Sequence, residues 1–183
     1  GIKWVTVYAF STENWKRPQE EVSMLMRLLL RALKDETDRL NRNNVRLRVI
    51  GDLARLPREV EAELEESIQT TSGNTGLTVV LALSYSGRWD ITEAIRRIAG
   101  EVEAGRMRPS EITDAVVDRS LATAGIPDPD LLVRTSGEFR ISNFLLWQLA
   151  YSEIYITERF WPDFRRAQLY DVIRDYQKRE RRF

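Results

Sequence analysis

Residues Asp128 to Glu153 read DPDLLVRTSGEFRISNFLLWQLAYSE, and this stretch decides how the rest of the chain is interpreted. It opens with a short apolar run, residues 131–133, of the kind that forms a buried strand. A polar segment, residues 134–143, follows at once and carries Arg134, Arg140, three hydroxyl side chains and a glycine. Ligands of open α/β sheets bind at the carboxyl ends of strands, and arginine forks match the oxygens of phosphate groups. The stretch therefore predicts an anion site.

Two interpretations of these arginines compete. In the first, they pair with the nearby carboxylates of Asp128, Asp130 and Glu138 and line an ordinary polar loop. In the second, they form a cluster that holds an anion. Even steps along the sequence separate the arginines, Glu138 and Ser142, so an extended segment would place all of them on one side. The cluster favours the second interpretation.

The composition limits the chemistry of the site. Lysine plus arginine and aspartate plus glutamate number 28 each, so the charge gives no indication of a nucleic acid partner. The sequence has no cysteine and no histidine, which excludes disulfides, thiolate nucleophiles, Ser-His-Asp triads and histidine general bases. Arginine, lysine, carboxylate and hydroxyl groups remain, and such a set suits phosphates together with a hard metal ion such as Mg²⁺.

The hydrophobic pattern predicts strands that alternate with helices along one domain of 183 residues. Strands are predicted at residues 4–10, 45–50, 77–83, 131–133 and 154–156. Helices are predicted at residues 18–41, 57–68, 90–105 and 165–182, with a further short helix between residues 106 and 127. In the third helix we expect Asp90 to be the N-cap, with Glu93 completing a capping box. The order indicates the α/β class, a single domain with a mostly parallel central sheet flanked by helices.

The loop after the first strand, Ser11 to Arg17, is a second candidate for a ligand site. It lies at the carboxyl end of its strand, where ligands of this architecture bind. The simpler interpretation is a strand-to-helix connection with a half-buried Trp15. The helix that follows has an apolar stripe wider than one packing face requires, because Met24, Leu28 and Leu30 extend it.

Three segments carry a longer pattern than any single motif. They are YAFSTENWKRP at residues 8–18, SYSGRWD at residues 84–90 and RTSGEFRISNFLLWQLAYSE at residues 134–153. In this order they resemble sequence blocks of the cis-prenyltransferases, the undecaprenyl diphosphate synthase family. In the middle block, Ser84 and Ser86 stand where the family usually has asparagine and glycine. The D-D-x-x-D motif of the all-helical trans-type synthases is absent, which agrees with the resemblance.

The resemblance implies a fold and a reaction. The fold has an elongated hydrophobic tunnel for the growing polyprenyl chain, lined by the helix at residues 18–41. The reaction condenses isopentenyl diphosphate onto an allylic diphosphate, farnesyl diphosphate. Its product is a long cis-polyprenyl diphosphate, with undecaprenyl diphosphate for the cell-wall lipid carrier as the expected compound.

Two alternatives to this reaction remain. One is a non-catalytic partner subunit of a cis-prenyltransferase, which the presence of Arg134, Arg140 and Ser142 disfavours. The other is a generic nucleotide-binding protein. That alternative is weaker, because neither the P-loop motif nor the dinucleotide-binding glycine motif is present.

The resemblance also assigns site residues. Ser11 and Asn14 are the catalytic candidates; a substrate phosphate oxygen that they assist is one acceptor for the proton among those the sequence leaves open. The substrate-binding candidates of the first loop are Ser11, Glu13, Asn14, Trp15 and Arg17. Those of the central stretch are Arg134, Arg140 and Ser142, and Glu138 is expected to orient the arginines. Glu153 is the expected ligand of the cofactor, Mg²⁺.

The same resemblance implies partners and a location. The small-molecule partners are isopentenyl diphosphate and the allylic diphosphate, a second copy of the chain completes a homodimer, and the product is delivered to the membrane. The sequence has no apolar run of about 18 residues, and Gly1 to Lys3 does not begin a signal peptide. We expect a cytoplasmic protein that is at most peripheral to the inner face of the membrane.

Two features of the family are missing from the sequence. The family's first block, Asp-Gly-Asn-x-Arg-Trp, carries a catalytic aspartate on a strand that precedes residues 4–10, and an Arg-x-Gly ending follows Arg181-Arg182-Phe183. We therefore expect residues 1–183 to form a cis-prenyltransferase domain that lacks the N-terminal aspartate-bearing strand and loop. We further expect these residues alone to be inactive, because nothing in them would fix the allylic diphosphate.

Overall fold

The computed structural model describes residues 1–180, and contacts within the chain divide it into two compact units, Gly1–Gly125 and Ile126–Phe183. Strands and helices alternate in both units, and the strand pairings of the described residues are parallel. The predicted α/β class with parallel strands is confirmed. That the whole chain forms one domain stays a prediction.

The first unit is built on a three-stranded sheet in the order β1-β3-β2. The strands are β1 (Trp4–Ser11), β2 (Arg46–Ile50) and β3 (Thr78–Tyr85). Aromatic and β-branched residues recur in them, as suits a pleated and partly buried surface. The crossover helices are α1 (Gln19–Arg42), between β1 and β2, and α2 (Arg58–Thr71), between β2 and β3. All these bounds lie close to the predicted ones.

The core of this unit joins both crossover helices to the sheet. Its buried side chains are Phe10, Val22, Met26, Leu33, Leu47, Leu56, Val60, Leu64 and Leu83. On α1, the buried residues recur at helical spacing, whereas Met24 and Leu28 are exposed on another side of the helix. The wide apolar stripe that the sequence predicted is therefore divided into a buried face and an exposed face.

Two helices follow β3, and the predicted start of the first of them is wrong. They are α3 (Gly87–Glu103) and α4 (Asp114–Ser120). The N-cap of α3 is Ser86, whose hydroxyl accepts a hydrogen bond from the Trp89 amide at 3.4 Å. Asp90 lies buried inside the helix, where it accepts hydrogen bonds from the Tyr85 hydroxyl at 2.9 Å and the Ala122 amide at 2.7 Å. Ser86 takes the cap because its backbone is still extended, and Asp90 ties α3 to the segment after α4.

The pairing of β1 with β3 is irregular at its carboxyl end, where the first candidate loop begins. The register pairs Tyr8 with Ala82, Phe10 with Leu83, and Ser11 with Tyr85. Ala9 is therefore an extra residue on β1 and Ser84 an extra residue on β3, so that the two irregularities cancel. Ser84 has a φ of 49°, a left-handed conformation that is uncommon for any residue except glycine.

The end of β2 approaches the end of β3 closely. Gly51 has a φ of 125°, and a Cβ at this position would lie 1.8 Å from the carbonyl oxygen of Leu83. The next residue, Asp52, donates its amide to the carbonyl oxygen of Ser84 at 3.2 Å. Only glycine fits at position 51, and the close approach fixes the backbone around Ser84.

The second unit contains a two-stranded ladder and a helix. They are β4 (Leu131–Arg134), β5 (Glu153–Ile156) and α5 (Arg166–Lys178). The apolar runs predicted buried strands, but β4 and β5 are largely half-buried, because each has a single neighbouring strand within the described residues. Among the helices of residues 1–180, none has the length and apolar composition needed to cross a bilayer.

Two further differences from the sequence predictions concern the size of the sheet and the length of the last helix. The strands of residues 1–180 form two hydrogen-bonded ladders, one in each unit, where one central sheet was expected. The last helix ends at Lys178 because the backbone of Arg179 is extended, and the side chain of Arg179 is bound by Asp175 and Glu153. The predicted helix reached Arg182, and residues 181–183 lie outside the described residues.

Candidate active site

The loop after β1 begins with a reciprocal pair of hydrogen bonds. Ser11 is the N-cap of a 3-10 turn, Thr12–Lys16, and its hydroxyl accepts a hydrogen bond from the Asn14 amide at 3.2 Å. The side-chain oxygen of Asn14 in turn accepts a hydrogen bond from the Ser11 amide at 2.8 Å. This capping box satisfies backbone donors that the turn itself leaves without partners. The residues predicted as catalytic are thus brought together and held in a fixed orientation.

Tyr8 links this loop to the end of β3. Its hydroxyl donates a hydrogen bond to the carbonyl oxygen of Tyr85 at 3.1 Å. Burial is the main cause that raises the pKa of Tyr8 to about 12, and the negative charge of Glu13 raises it further. A hydrogen bond with Ser11 acts in the opposite direction. The hydroxyl of Tyr8 therefore stays protonated near neutral pH, within electrostatic reach of Glu13.

Trp15 is the apolar anchor of the loop. Its indole N–H donates a hydrogen bond to the Ser84 hydroxyl at 2.9 Å. Its ring meets Phe10 edge to face with 4.9 Å between centroids, and the Arg55 guanidinium lies 5.2 Å from its centroid. The prediction of a half-buried tryptophan is confirmed. Contact of Trp15 with substrate stays a prediction.

Arg17 ends the loop as an exposed cation. Its Nη1 forms an ion pair with Glu21 in the first turn of α1, at 3.7 Å. Exposed pairs of this kind contribute little to stability, so a bound anion can displace the glutamate at small cost. Its position after the turn of Ser11 and Asn14 agrees with the predicted role, which stays a prediction.

Arg134 and Arg140 share one carboxylate, that of Glu138. Arg134 Nη2 donates to Glu138 Oε2 at 2.9 Å, and Arg140 Nη2 forms an ion pair with the same oxygen. The hydrogen bond from Arg134, with the charge of Arg140, lowers the pKa of Glu138 below its ordinary value. The Nε–H of Arg134 is buried and has no hydrogen-bond partner in the part of the chain that the structure describes. A buried donor without a partner is costly, so this N–H marks a position where an acceptor is expected.

The loop that carries these arginines is not extended, so the argument from even spacing is wrong. β4 ends at Arg134, and the chain turns at Ser136 and Gly137, whose φ angles of 69° and 65° are left-handed. The amide of Ser136 donates to the carbonyl oxygen of Arg159 at 2.8 Å, and that of Gly137 donates to Thr157 at 2.9 Å. This turn, rather than strand alternation, brings the arginines to their shared carboxylate.

Ser142 lies beyond the arginine pair. It is exposed and has a left-handed backbone with a φ of 54°, and Asn143 follows with a φ of 61°. Serine is uncharged, so Ser142 could join an anion site only as a hydrogen-bond donor. Its place in the anion site therefore stays a prediction.

Glu153 opens β5 at the opposite end of the ladder from Arg134. Glu153 lies opposite Leu131 in the register, whereas Arg134 lies opposite Ile156. Their levels are therefore separated by roughly 10 Å along the strands. Arg179, the C-cap of α5, donates to Glu153 Oε2 at 2.7 Å, and this contact raises the pKa of Arg179. Glu153 thus lies apart from the arginine cluster, in an ion pair of its own.

The described residues offer a magnesium ion few ligands near Glu153. A carboxylate oxygen is the hard donor that Mg²⁺ prefers. Among residues 1–180, no group of three or more His, Cys, Asp and Glu side chains is arranged to hold a metal ion. An ion at this position would take one ligand from Glu153, and diphosphate or water oxygens would have to supply the others; that Glu153 binds Mg²⁺ stays a prediction.

A comparison with protein families matches the chain over its whole length. The family described as "Putative undecaprenyl diphosphate synthase" matches residues 1–183. The chain belongs to this family. The resemblance inferred from the three sequence segments is confirmed.

Curated relatives of this family member are longer than the chain. The isoprenyl transferase of Chlorobaculum tepidum is 53% identical over 183 residues, which are all of this chain and 69% of that protein. In Pseudomonas putida, the ditrans,polycis-undecaprenyl-diphosphate synthase described as (2E,6E)-farnesyl-diphosphate specific is 47% identical over 183 residues. Those residues are all of this chain and 73% of that protein.

A solved structure confirms the cis-prenyltransferase fold. The lavandulyl diphosphate synthase from Lavandula x intermedia, solved in complex with dimethylallyl diphosphate, is 39% identical and superimposes with a TM-score of 0.96. The match covers 99% of this chain and 78% of that one. Its name and that of the Pseudomonas putida relative refer to different products, so the shared fold does not by itself fix the product.

The sequence did not predict three residues that contact the candidate site residues of this family member. Ser84, Arg55 and Arg179 contact predicted site residues, but no role was predicted for any of them. Trp15 and Ser84 are 69 positions apart in the chain, so no local pattern links them. The signal that could have found Ser84 is its departure from the family's usual asparagine at the end of a strand.

Proposed function

We propose that this protein condenses isopentenyl diphosphate onto farnesyl diphosphate and builds a long cis-polyprenyl diphosphate, undecaprenyl diphosphate. In each cycle the allylic C–O bond breaks and diphosphate leaves, a C–C bond forms to isopentenyl diphosphate, and that substrate loses one proton. The printed name of the Pseudomonas putida relative supports this primer and this product. The protein acts in the cytoplasm, and the lipid product passes to the membrane.

The observation that carries the proposal is the buried N–H of Arg134 that has no partner among the described residues. One nitrogen of this guanidinium is tied to Glu138 while Nε–H is left for another acceptor. A diphosphate oxygen supplies that acceptor, and Arg140, which is largely exposed, supplies a second cation beside it. We assign the diphosphate of isopentenyl diphosphate to Arg134 and Arg140, with Ser142 as a further donor.

The loop after β1 supplies groups that are oriented before substrate arrives. The capping box of Ser11 and Asn14 fixes both side chains at the carboxyl end of β1, which favours a role in orienting the groups that exchange a proton. Arg17 is the loop's cation for a diphosphate oxygen, and Glu13 and Trp15 complete the set of substrate contacts. These roles rest on the match of residues 8–18 to the family.

Glu153 is assigned to the magnesium ion. When it is bound, the ion neutralises charge that develops on the leaving diphosphate. Glu153 would hold the ion through its carboxylate, whose Oε2 now accepts a hydrogen bond from Arg179 at 2.7 Å. Arg179 therefore competes with the ion for this carboxylate.

The tunnel for the growing chain is assigned to the exposed apolar face of α1. Met24 and Leu28 are about half exposed on this face, and apolar surface of this kind lines sites for apolar ligands. Ala9, exposed at the carboxyl end of β1, is a second candidate for the wall. Ala9→Leu should shorten the product, because the larger side chain takes up room that the chain would occupy. A product distribution like that of the wild type would contradict the assignment.

The second unit exposes apolar side chains that we assign to contact with a second copy of the chain. Phe139 and Tyr151 are 86% and 87% exposed, and Ile154, Trp161 and Leu169 are also exposed. Exposed apolar side chains mark interaction sites, and a homodimer with twofold symmetry covers the same side chains on both copies. Ile154→Lys should produce monomers in multi-angle light scattering, whereas Ile95→Lys, at an exposed isoleucine of α3, should leave the dimer intact. A dimer in both variants would contradict this assignment.

Product analysis tests the proposed reaction. The purified full-length protein that contains residues 1–183 is incubated with labelled isopentenyl diphosphate, farnesyl diphosphate and Mg²⁺, and the dephosphorylated products are separated by chain length. We expect label in long polyprenols that co-migrate with undecaprenol. Incorporation only after addition of a second, catalytic chain would indicate the partner-subunit alternative. A short product made from dimethylallyl diphosphate alone would instead indicate a reaction of the kind named for the lavender enzyme.

A further inference from the structure

Ser84 is an unusual residue at the centre of the first sheet. It is fully buried, at 0% exposure, near the carboxyl end of the central strand β3. Its left-handed φ of 49° and its extra place in the pairing with β1 set it apart from the regular strand residues before it. Irregularities of this kind re-aim a side chain and concentrate next to active sites.

The hydroxyl of Ser84 is aimed at the loop after β1. It accepts the only N–H that an indole ring carries, that of Trp15, at 2.9 Å. Phe10 and Arg55 contact the ring of Trp15, so the side chain is held by a hydrogen bond, an edge-to-face contact and a cation–π contact together. Such a combination of contacts leaves the ring little freedom.

Because Trp15 lies near the end of the 3-10 turn, the contacts that hold its ring also hold that end of the turn. Trp15 is the apolar residue of the segment Ser11–Arg17, and it directly follows Asn14. The capping box holds the start of the 3-10 turn, and the anchoring of Trp15 holds its end. A turn of five residues has few hydrogen bonds of its own, so its orientation depends on these two attachments.

We propose that Ser84 is a positioning residue for the proposed prenyl transfer, acting through Trp15. It holds the turn Thr12–Lys16 in the orientation in which Asn14 and Arg17 meet an anionic substrate, and Arg55 contacts the same ring. The inference rests on the proposed function for its kinetic consequence. The anchoring of Trp15 itself can be measured without any activity.

Three variants of Ser84 distinguish the effect of its hydroxyl from the effect of its strained backbone. Ser84→Ala removes the acceptor, and Ser84→Gly removes it while relieving the left-handed backbone. Ser84→Asn restores an acceptor and suits the same backbone, so it is the rescue variant. Ser72→Ala, at an exposed serine that ends α2, is the matched control.

The first measurement is ¹⁹F NMR of protein labelled with 5-fluorotryptophan, in which Trp15→Phe assigns the Trp15 signal among the five tryptophans. We expect a shifted or broadened Trp15 signal in Ser84→Ala and Ser84→Gly. The wild-type position should be kept in Ser72→Ala and largely regained in Ser84→Asn. An unchanged Trp15 signal in both Ser84→Ala and Ser84→Gly would overturn the proposal, whether or not the protein transfers isoprenyl units.

The second measurement is steady-state kinetics of the same variants. Loss of one hydrogen bond that orients the loop should lower kcat/KM by about five- to tenfold in Ser84→Ala and Ser84→Gly. In Ser84→Gly, relief of the left-handed backbone offsets part of the lost hydrogen bond, so this variant should stay folded at the assay temperature, and its melting temperature checks that a loss of rate does not come from unfolding. Wild-type kinetics in Ser84→Gly with a moved Trp15 signal would overturn the positioning role. A full-length wild-type protein that transfers nothing would contradict the proposed function instead.

Discussion

The loop after β1 and the loop after β4 both begin at the carboxyl end of a parallel strand, yet different forces hold them. In the first, Ser11 and Asn14 satisfy one another and Trp15 is anchored on Ser84. In the second, Arg134 and Arg140 converge on one carboxylate, and Arg134 keeps a buried N–H without a partner among the described residues. In the first loop, the hydrogen-bonding groups named here have partners within the protein, whereas in the second loop Arg134 Nε–H still lacks an acceptor among the described residues.

This difference assigns a different role to each loop: the first orients reacting groups, and the second binds an anion. Neutral hydrogen bonds and ring contacts fix orientation in the first loop whether or not a ligand is present. Charge holds the second loop, and a charged cluster with an unpartnered donor gains most when an anion binds. Variants of the first loop should therefore act mainly on kcat, and variants of the second mainly on KM.

The largest expected effect, as for all the kinetic variants in the full-length protein that contains these residues, is that of Arg134→Ala. It should raise the KM for isopentenyl diphosphate at least tenfold, because a charge-assisted hydrogen bond contributes roughly 1.5–3 kcal/mol. Initial rates measured against isopentenyl diphosphate concentration give this value. Arg174→Ala, which removes an exposed arginine of α5 that pairs with Asp171, is the control and should change little.

The contrasting variant in the first loop is Asn14→Ala. It breaks the capping box, so kcat should fall while the KM for isopentenyl diphosphate stays close to that of the wild type. Should Asn14→Ala raise this KM as much as Arg134→Ala does, the division between the loops would be lost.

A smaller effect is expected from Glu153→Gln. The amide is a poorer ligand for a hard cation, so the Mg²⁺ concentration needed for half-maximal activity should rise about tenfold. Arg179→Gln is the matched variant, because it removes the cation that competes for Glu153 and should lower that concentration. If both variants titrate with Mg²⁺ like the wild type, Glu153 serves only as the partner of Arg179.

The smallest effect concerns Tyr8 and alkaline pH. The folded pKa of Tyr8, about 12, lies above its ordinary value of 10.0, so the folded protein keeps a proton that the unfolded chain releases. The contribution of Tyr8 to stability is therefore present below about pH 10 and is lost as the pH rises toward about 12. Tyr8→Phe lacks this loss. Its free energy of unfolding, measured in urea, should fall less than that of the wild type between about pH 9 and pH 11. Equal falls in both proteins would contradict the raised pKa.

The sequence located both candidate loops because strand patterns are local and the carboxyl ends of parallel strands are where ligands bind. The apolar runs before Ser11 and before Arg134 were sufficient for this. The same local logic failed at Asp90, because Ser86 stands nearer to the end of β3 and takes the cap first. It also failed for the even spacing after Arg134, because Ser136 and Gly137 adopt left-handed backbones that strand periodicity does not include.

What the sequence could not predict are contacts between distant positions. The bond from Trp15 to Ser84 joins residues on different strands and loops, and its existence depends on the register of β1 against β3. The pairing of Glu153 with Arg179 likewise depends on where α5 ends. Propensity and spacing carry no information about such pairs.

The paired irregularities of β1 and β3 have a consequence for insertions and deletions. Deleting Ala9 alone would draw Ser11 one step back along β3 and turn its side chain to the opposite face of the sheet. Deleting Ala9 together with Ser84 would restore an even ladder and keep Ser11 opposite Tyr85. The double deletion should therefore fold better than the single one, yet it would remove the hydroxyl that receives Trp15. Natural length variation at either site is then expected to occur at both sites or at neither.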